Sequence, residues 1–457
     1  MNDKLELFYR GLKDQKVSFI GLGRSHRELL PMFASKGARV SLRDKRTREQ
    51  IGEEAGQLEA LGIRLILGEG YLDNLCEEDM ILRTPGMYYY HPALQEAQRS
   101  GVAVVSEMEL FFDLCPCKIY AVTGSDGKTT TTSVIAEFLK AQGFNVFLGG
   151  NIGFPLLPRI EQIGPEDRAV VELSSFQMIS MRKSPDVAVI TNIGDAHIEN
   201  LGNTRQGTLR AKSEIFEHLQ PGGLAVLNGD DALLAGLELP FETILCGRGE
   251  NCAVRVTDIV THGVEGLSCT VTTPCGVYPL HIPSPGDYMI YPASMAVAIG
   301  ERLGLTAQQI REGVAHYVST GSRMRRIRLP EERLIIDDCY NANPQAMAAA
   351  LTILADTDCR RRVAVMGDMG ELGRLSSDAH REAGALAARL GLDQVIAIGE
   401  KARLMAQGAG NIALHFDTVE QAMPAVREAL TPGTAMLVKA SHAMEFHRIV
   451  EALAQEA

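Results

Sequence analysis

The 457-residue chain has no run approaching the roughly 18 consecutive apolar residues that a membrane-crossing helix needs. Its opening stretch, MNDKLELFYRGLKDQ, is polar and amphipathic and holds no signal-peptide core, so a cytoplasmic protein away from the membrane is expected. Positive charge is also scarce: 45 lysines and arginines against 57 acids leave a formal net charge of −12, with no long basic stripe. That disfavours a nucleic-acid partner but leaves small phosphorylated ligands open. Cysteines in metal-binding spacing are missing too. The nine cysteines are scattered and odd in number, and Cys115-Pro-Cys117 is the only close pair. With no second Cys/His pair at zinc spacing, reduced thiols are the expectation. Short-period repeats and low-complexity tracts are absent as well. What is left is an ordinary globular composition, 46% hydrophobic and 22% charged, over a length that fits two or three domains.

The most informative stretch is Val122-Thr-Gly-Ser-Asp-Gly-Lys-Thr-Thr130. An apolar, strand-like run precedes it and a helix-like run follows, which is the context a phosphate-binding loop requires. Gly124 and Gly127 let backbone N–H groups, with those of Ser125 and Asp126, turn towards a phosphate at a helix N-terminus. Lys128 can reach terminal phosphates, the Thr129 hydroxyl is placed to ligate Mg²⁺, and Thr130 continues the first turn. Val122 stands where the usual spacing has glycine.

Upstream, the apolar run 16–20 ends in Gly21-Leu-Gly23-Arg24-Ser25-His26, the beginning of a dinucleotide fingerprint with histidine in place of the third glycine. The run 38–42 leads to Asp44-Lys45-Arg46, at the spacing of a ribose-binding acid. Further strand-like runs cover 63–67, 80–83 and 102–105. Thr84-Pro-Gly86 follows one of them, at the strand end where open α/β sheets bind ligands. Ser106 and Glu109 have capping-box spacing and open a helix. Downstream, Gly149-Gly-Asn151 follows the phosphate loop, strand-like runs end at Glu172 and at Thr191, the second leading into Asn192-Ile-Gly-Asp195-Ala-His197, and Lys212 lies on a predicted helix. Alternation between 241 and 283 predicts a small antiparallel sheet. Residues 321–328 read as a basic connector and a hinge, after which strands at 334–338, 363–367, 394–399 and 436–439 alternate with helices. The expected architecture is α/β in three domains: a Rossmann-like domain at 1–115, a P-loop ATPase-like domain with the antiparallel sheet at 116–320, and a Rossmann-like domain at 321–457.

By themselves His197 reads as a structural histidine and Lys212 as a solvated helix residue. The motif series changes that reading. Thr-Gly-Ser-Asp-Gly-Lys-Thr-Thr, Gly-Gly-Asn-Ile-Gly, Glu-Leu-Ser-Ser-Phe-Gln, Asp-Ala-His and Arg-Ala-Lys-Ser-Glu-Ile-Phe occur in one order along the chain. In this the sequence resembles the Mur ligases, ATP-dependent amino-acid-adding enzymes of peptidoglycan synthesis. The resemblance implies ATP bound by residues 124–130 with Arg323 and Asp338, and two Mg²⁺ ions held by Thr129, Glu172, His197 and an N-carbamylated Lys212. It implies catalytic roles for Lys128, His197 and Lys212. A UDP-N-acetylmuramoyl substrate would meet Gly21, Gly23, Arg24, Ser25, Asp44, Lys45, Arg46, Thr84, Gly86 and Asn151. An amino-acid or dipeptide acceptor would meet Asn341, Asn343, Lys439 and Ser441, and a monomer is implied.

The first half resembles the D-glutamate-adding branch of the family, through Arg83-Thr-Pro-Gly86 and Glu-Leu-Ser-Ser-Phe-Gln. The second half resembles the D-alanyl-D-alanine-adding branch, through Tyr340-Asn-Ala-Asn-Pro344 and Met366-Gly-Asp-Met-Gly370. Because the first domain holds the nucleotide sugar in this family, the expected reaction is addition of D-glutamate to UDP-N-acetylmuramoyl-L-alanine. D-alanyl-D-alanine addition, or a catalytically silent relative, is the alternative. Departures from the family pattern are Tyr288-Met-Ile-Tyr-Pro292 at the adenine motif, Val438-Lys-Ala-Ser-His442 near the acceptor, and Tyr340 where a D-glutamate-adding enzyme has lysine.

Overall fold

The computed structural model describes residues 3–194, 204–317, 324–370 and 372–455. The chain divides into two compact units: 1–255 with 273–275 and 291–313, and 256–272 with 276–290 and 314–457.

The first unit begins with β1 (Lys16–Ile20), β2 (Arg39–Asp44), β3 (Arg64–Leu67), β4 (Met80–Arg83) and β5 (Ala103–Ser106), hydrogen-bonded in the order β3-β2-β1-β4-β5. Every pair is parallel. The sequence order reverses between β1 and β4, so their carboxyl ends open a crevice, as in Rossmann-type sheets. Phe19 and Phe33, both fully buried, meet edge to face with centroids 5.3 Å apart and fix the helix Arg24–Ser35 over β1. The expected capping box is present: Ser106 N donates to Glu109 Oε2 at 2.7 Å and starts the helix Glu107–Leu114.

A second sheet follows, from β6 (Lys118–Thr123), β7 (Val146–Gly150), β8 (Arg168–Glu172), β9 (Val187–Ile190), β10 (Leu224–Asn228), β11 (Glu242–Gly247) and the start of β12 (Val254–Thr261), in the order β12-β11-β10-β9-β6-β8-β7. The antiparallel expectation for 241–283 is corrected here. β11 pairs parallel with β10, and the first residues of β12 pair parallel with β11. The crossover from β10 to β11 carries the short helix Ala232–Ala235, which returns the chain in the same direction. β13 (Leu267–Thr272) and β14 (Val277–Ile282), in the second unit, do form an antiparallel hairpin, with buried and exposed residues alternating along both.

The second unit is completed by β15 (Arg325–Leu329), β16 (Arg333–Asp337), β17 (Arg361–Gly367), β18 (Gln394–Ile398), β19 (Ala413–Phe416) and β20 (Thr434–Lys439), ordered β15-β16-β20-β17-β18-β19. The β15/β16 pair is antiparallel and the others parallel. Within the stretch 321–328, read from sequence as a connector, this corrects the reading for residues 325–328. Residues 325–329 are an edge strand, whose Arg325 sits 2.8 Å from the fully buried Asp337 carboxylate and whose Arg326 donates to the Val264 and Pro283 carbonyls. Charged residues are what an edge strand carries to discourage further pairing. Gly321 lies outside the described residues. Among the described residues no helix is long and apolar enough to cross a membrane, and all nine cysteines are free thiols, with Cys115 and Cys117 Sγ atoms 3.5 Å apart.

Candidate functional site

The loop after β6 is held from the neighbouring strand β9. Asn192 Oδ1 accepts from the backbone of Ser125 at 3.1 Å and of Asp126 at 2.8 Å, and Thr191 Oγ1 donates to the Asp126 carbonyl at 2.6 Å. Gly194 N donates to Ser125 Oγ at 2.8 Å. A Cβ at Gly124 would lie 1.8 Å from Thr191 Oγ1, so only glycine fits that close approach. Gly127, with φ of +73°, caps the helix Lys128–Ala141, and Thr129 and Thr130 sit half-buried in its first turn.

Two lysines converge on this loop. Lys128 Nζ donates to the Gly124 and Ser125 carbonyls at 2.9 and 2.8 Å. Lys212, on the helix Arg205–Ser213, donates to the same Gly124 carbonyl at 2.9 Å. Lys212 is no surface residue: it is 6% exposed, and burial, followed by repulsion from Lys128, pushes its pKa down to about 8 against the pull of Asp126.

Glu172 ends β8, in register with Val122 on one side and Gly150 on the other. It is 2% exposed; Oε1 accepts from Asn151 Nδ2 at 2.7 Å, while Oε2 is buried with no hydrogen-bond partner. A carboxylate oxygen left in that state suits a hard cation. Among the described residues no three His, Cys, Asp or Glu side chains cluster as a metal site. His197 lies outside the described residues, as does Arg323.

At the carboxyl ends of β1 and β4 is a cleft of about 180 Å³ lined by Gly23, Arg24, Ser25, Thr84, Asn151 and Gln177, among others. Asn151 therefore joins the cleft to Glu172. Gly21 adopts φ of +85°, and a Cβ there would press on Thr84 Oγ1 at 3.2 Å. Gly86 and residues 44–46 are not part of the cleft lining. Asp44 is buried and its carboxylate is already engaged, accepting from Leu22 N at 2.8 Å, Arg46 N at 2.9 Å and Arg46 Nη2 at 2.7 Å. Burial alone would raise its pKa, but those hydrogen bonds hold it down to about 2. Lys45 is exposed. His26 packs its ring edge-on to Phe19 at 5.1 Å and donates from Nδ1 to the Gly21 carbonyl at 2.7 Å. It thus ties the helix Arg24–Ser35 to the loop that leads into it, and burial keeps it neutral by lowering its pKa to about 4.

Sequence reasoning passed over Glu107, which lines the cleft and accepts from Leu156 N and Leu157 N, both at 3.0 Å. Its only signal was position one of a capped helix. Burial raises its pKa to about 7 despite those two bonds. A carboxyl whose folded pKa lies above its unfolded value binds its proton more tightly when folded. Its contribution is therefore most favourable below about pH 4.5 and is lost as pH rises through about 7, a change of about 3 kcal/mol. Glu107→Gln keeps an acceptor oxygen without the buried charge. Chemical denaturation at pH 8 is expected to find it about 2 kcal/mol more stable than the parent, with the difference gone at pH 5. Equal destabilisation at both values would contradict this.

The residues assigned to the acceptor lie in the second unit. Lys439, 1% exposed, donates to Asp338 Oδ2 at 2.6 Å and to the Asn341 carbonyl at 2.8 Å, so two residues given separate roles form one ion pair. Asn343 caps the helix Pro344–Ala355, accepting from Ala346 N at 2.8 Å, and Ser441 Oγ accepts from Gly370 N at 2.7 Å. Tyr340 is exposed and its ring meets His442 at 6.4 Å. In the altered adenine motif, Tyr291 OH donates to Asp230 Oδ2 at 3.0 Å, and Asp230 also accepts from the Arg248 and Gly249 amides.

A parallel sheet with a lysine-bearing phosphate-type loop, following a Rossmann-like sheet and preceding another largely parallel one, defines a three-sheet α/β protein. Residues 15–106 match the family described as Mur ligase MurD-like, N-terminal domain. Residues 122–300 match Mur ligase middle domain, and 322–442 match Mur ligase, glutamate ligase domain. The chain belongs to the Mur ligase family. It is 45% identical over 231 residues to the UDP-N-acetylmuramoylalanine--D-glutamate ligase of Acetivibrio thermocellus, a match covering 50% of this chain and 49% of that protein. The enzyme of the same name from Clostridium kluyveri is 43% identical over 233 residues, 51% of each chain. The chain thus spans about half the length of the curated relatives it matches. Among solved structures, MurF from Acinetobacter baumannii is similar with a TM-score of 0.68 and 25% identity, over 98% of this chain and 92% of that one. The MurF ligase from Thermotoga maritima, solved in complex with ADP, shares the fold with a TM-score of 0.66 at 22% identity, covering 98% and 96%.

Proposed function

We propose that this chain is an ATP-dependent amide ligase of peptidoglycan precursor synthesis, adding D-glutamate to UDP-N-acetylmuramoyl-L-alanine through an acyl phosphate. The observation that carries the reading is the convergence of Lys128 and Lys212 on the Gly124 carbonyl, beside the buried Glu172. A carboxylate is a poor electrophile, and transfer of a phosphoryl group from ATP makes it reactive towards an amine. Lys128 would leave its loop carbonyls to meet the ATP phosphates and offset their charge, with the amides of 124–130 cradling them. Arg323 and Asp338 would complete the nucleotide's contacts.

Thr129, Glu172, His197 and a carbamylated Lys212 would hold two Mg²⁺ ions. When bound, these ions would neutralise charge on the transferring phosphoryl group. The lowered pKa of Lys212 leaves on the order of a tenth of it neutral near pH 7. A neutral amine adds CO₂ to give a carbamate and a proton, which turns a buried cation into an anionic oxygen donor. In the cleft, Gly23, Arg24, Ser25, Thr84 and Asn151 would bind the nucleotide sugar, with Gly21 and Gly86 contributing from outside its lining, Lys45 and Arg46 nearer its base, and Asp44 acting through Arg46. Asn341, Asn343, Lys439 and Ser441 would serve the acceptor. The domains would run 1–115, 116–320 and 321–457, in a cytoplasmic monomer without nucleic-acid or membrane partners.

A second reading, addition of D-alanyl-D-alanine, is favoured by the burial of Lys439 against Asp338, which engages a cation that the second carboxylate of glutamate could otherwise use. ADP release measured with each acceptor separates the two. Turnover with D-glutamate on UDP-N-acetylmuramoyl-L-alanine is expected; turnover only with D-alanyl-D-alanine on a UDP-muramoyl peptide would reverse the assignment, and ADP release with neither would favour a silent relative.

A further inference from the structure

Arg83, the last residue of β4, is among the largest fully buried side chains of the protein, at 1% exposed. Its guanidinium donates from Nη2 to Ser180 Oγ at 2.6 Å and to the Phe176 carbonyl at 3.4 Å. From Nη1 it donates to the Met87 carbonyl at 3.4 Å, and its plane lies 5.2 Å from the Tyr89 ring centroid. Ser180 Oγ in turn donates to Glu109 Oε2 at 2.8 Å, the oxygen that also caps the helix Glu107–Leu114. The buried cation is thereby matched to a buried carboxylate through one hydroxyl.

These bonds join the two walls of the cleft. On one side Thr84 and Pro85 follow Arg83 directly, and Met87 N closes their turn onto the Thr84 carbonyl at 3.0 Å. On the other side Gln177 lies between Phe176 and Ser180, the two residues Arg83 holds. The phosphate loop is held from elsewhere, its backbone fixed by Asn192 Oδ1 and Thr191 Oγ1. A planar fork reaches three acceptors and stacks on an aromatic ring at once, which an ammonium cannot do.

We propose that Arg83, acting through Ser180, is a positioning residue for the nucleotide sugar: it sets the spacing between the Thr84 turn and the Gln177 tract, and with it the affinity of the cleft. This rests on the reading of the cleft as the UDP-substrate site. The test is a set of steady-state measurements on Arg83→Lys, Ser180→Ala and Ser180→Thr, with UDP binding by calorimetry alongside. Ser180→Ala keeps both buried charges, so it reports even if Arg83→Lys fails to fold. Arg83→Lys and Ser180→Ala are expected to raise KM for the UDP-substrate about tenfold and to weaken UDP binding in parallel. Their kcat and KM for ATP are expected to stay within about twofold of the parent. Ser180→Thr, which keeps the hydroxyl, is expected to restore the parent KM. If the parent binds UDP-substrate and these variants match its KM, or if kcat and KM for ATP change in step with it, the positioning role is overturned. If the parent binds neither UDP nor the UDP-substrate, the reading of the cleft falls first and takes the proposal with it.

Discussion

Lys212→Ala is expected to lose on the order of 10²–10³ in kcat, and to regain part of it when a short carboxylic acid such as acetate is added. The loss follows from what Lys212 is asked to supply. Its amine lies 2.9 Å from the Gly124 carbonyl, in a pocket that disfavours its cationic form. A carbamate there would carry two oxygens into the loop beside Glu172, whose Oε2 has no partner. Alanine removes the group and leaves a space that a small carboxylate can enter. Preparation of the parent enzyme without bicarbonate should lower its turnover reversibly. ADP release by the parent and by the variant, with and without acetate, is the measurement. A fully active alanine variant would end the carbamate assignment.

Gly124→Ala is expected to abolish most nucleotide binding while sparing the cleft. The added carbon would lie 1.8 Å from Thr191 Oγ1 and 3.3 Å from Asn192 N, both fixed at the end of β9. Thr191 cannot retreat without releasing the Asp126 carbonyl, so the loop must move instead. Its movement would carry the Gly124 carbonyl away from Lys128 and Lys212 together. Calorimetry is expected to show ATP affinity reduced on the order of 10²-fold, with UDP affinity unchanged and thermal stability lowered by a few degrees at most. Unaltered ATP affinity would contradict the role given to the loop.

These two residues also show what was legible in the sequence. Gly124 and Lys128 act through a local turn, and a strand–glycine–helix pattern exposes such a turn directly. Lys212 acts through burial, which depends on how its helix packs against the loop 88 residues away; its composition and spacing gave no sign of that. Asp44 had the right spacing for a ribose-binding acid, yet its carboxylate is engaged by Leu22 and Arg46. Spacing places a residue at a strand end but says nothing of which neighbours claim it. His26 broke the glycine fingerprint because the ring itself fills the helix–strand contact that a glycine usually allows to close.

In the second unit the parallel strands buried on both faces were plain from their apolar runs. Two edge strands were not. β15 is basic and partly exposed, and β19 is short, with no fully buried residue. Each takes its structure from pairing with a neighbour rather than from its own pattern. The same dependence hid the Lys439–Asp338 pair, whose members come from adjacent strand ends about a hundred residues apart along the chain.

Ligation through an acyl phosphate carries one oxygen of the substrate carboxylate onto the departing phosphate. UDP-N-acetylmuramoyl-L-alanine labelled with ¹⁸O in its alanyl carboxylate would be incubated with the enzyme, ATP and D-glutamate, and both products analysed by mass spectrometry. The expected result is one ¹⁸O atom in the released phosphate for each glutamyl amide formed. Unlabelled phosphate, or labelled phosphate released without any amide product, would contradict it.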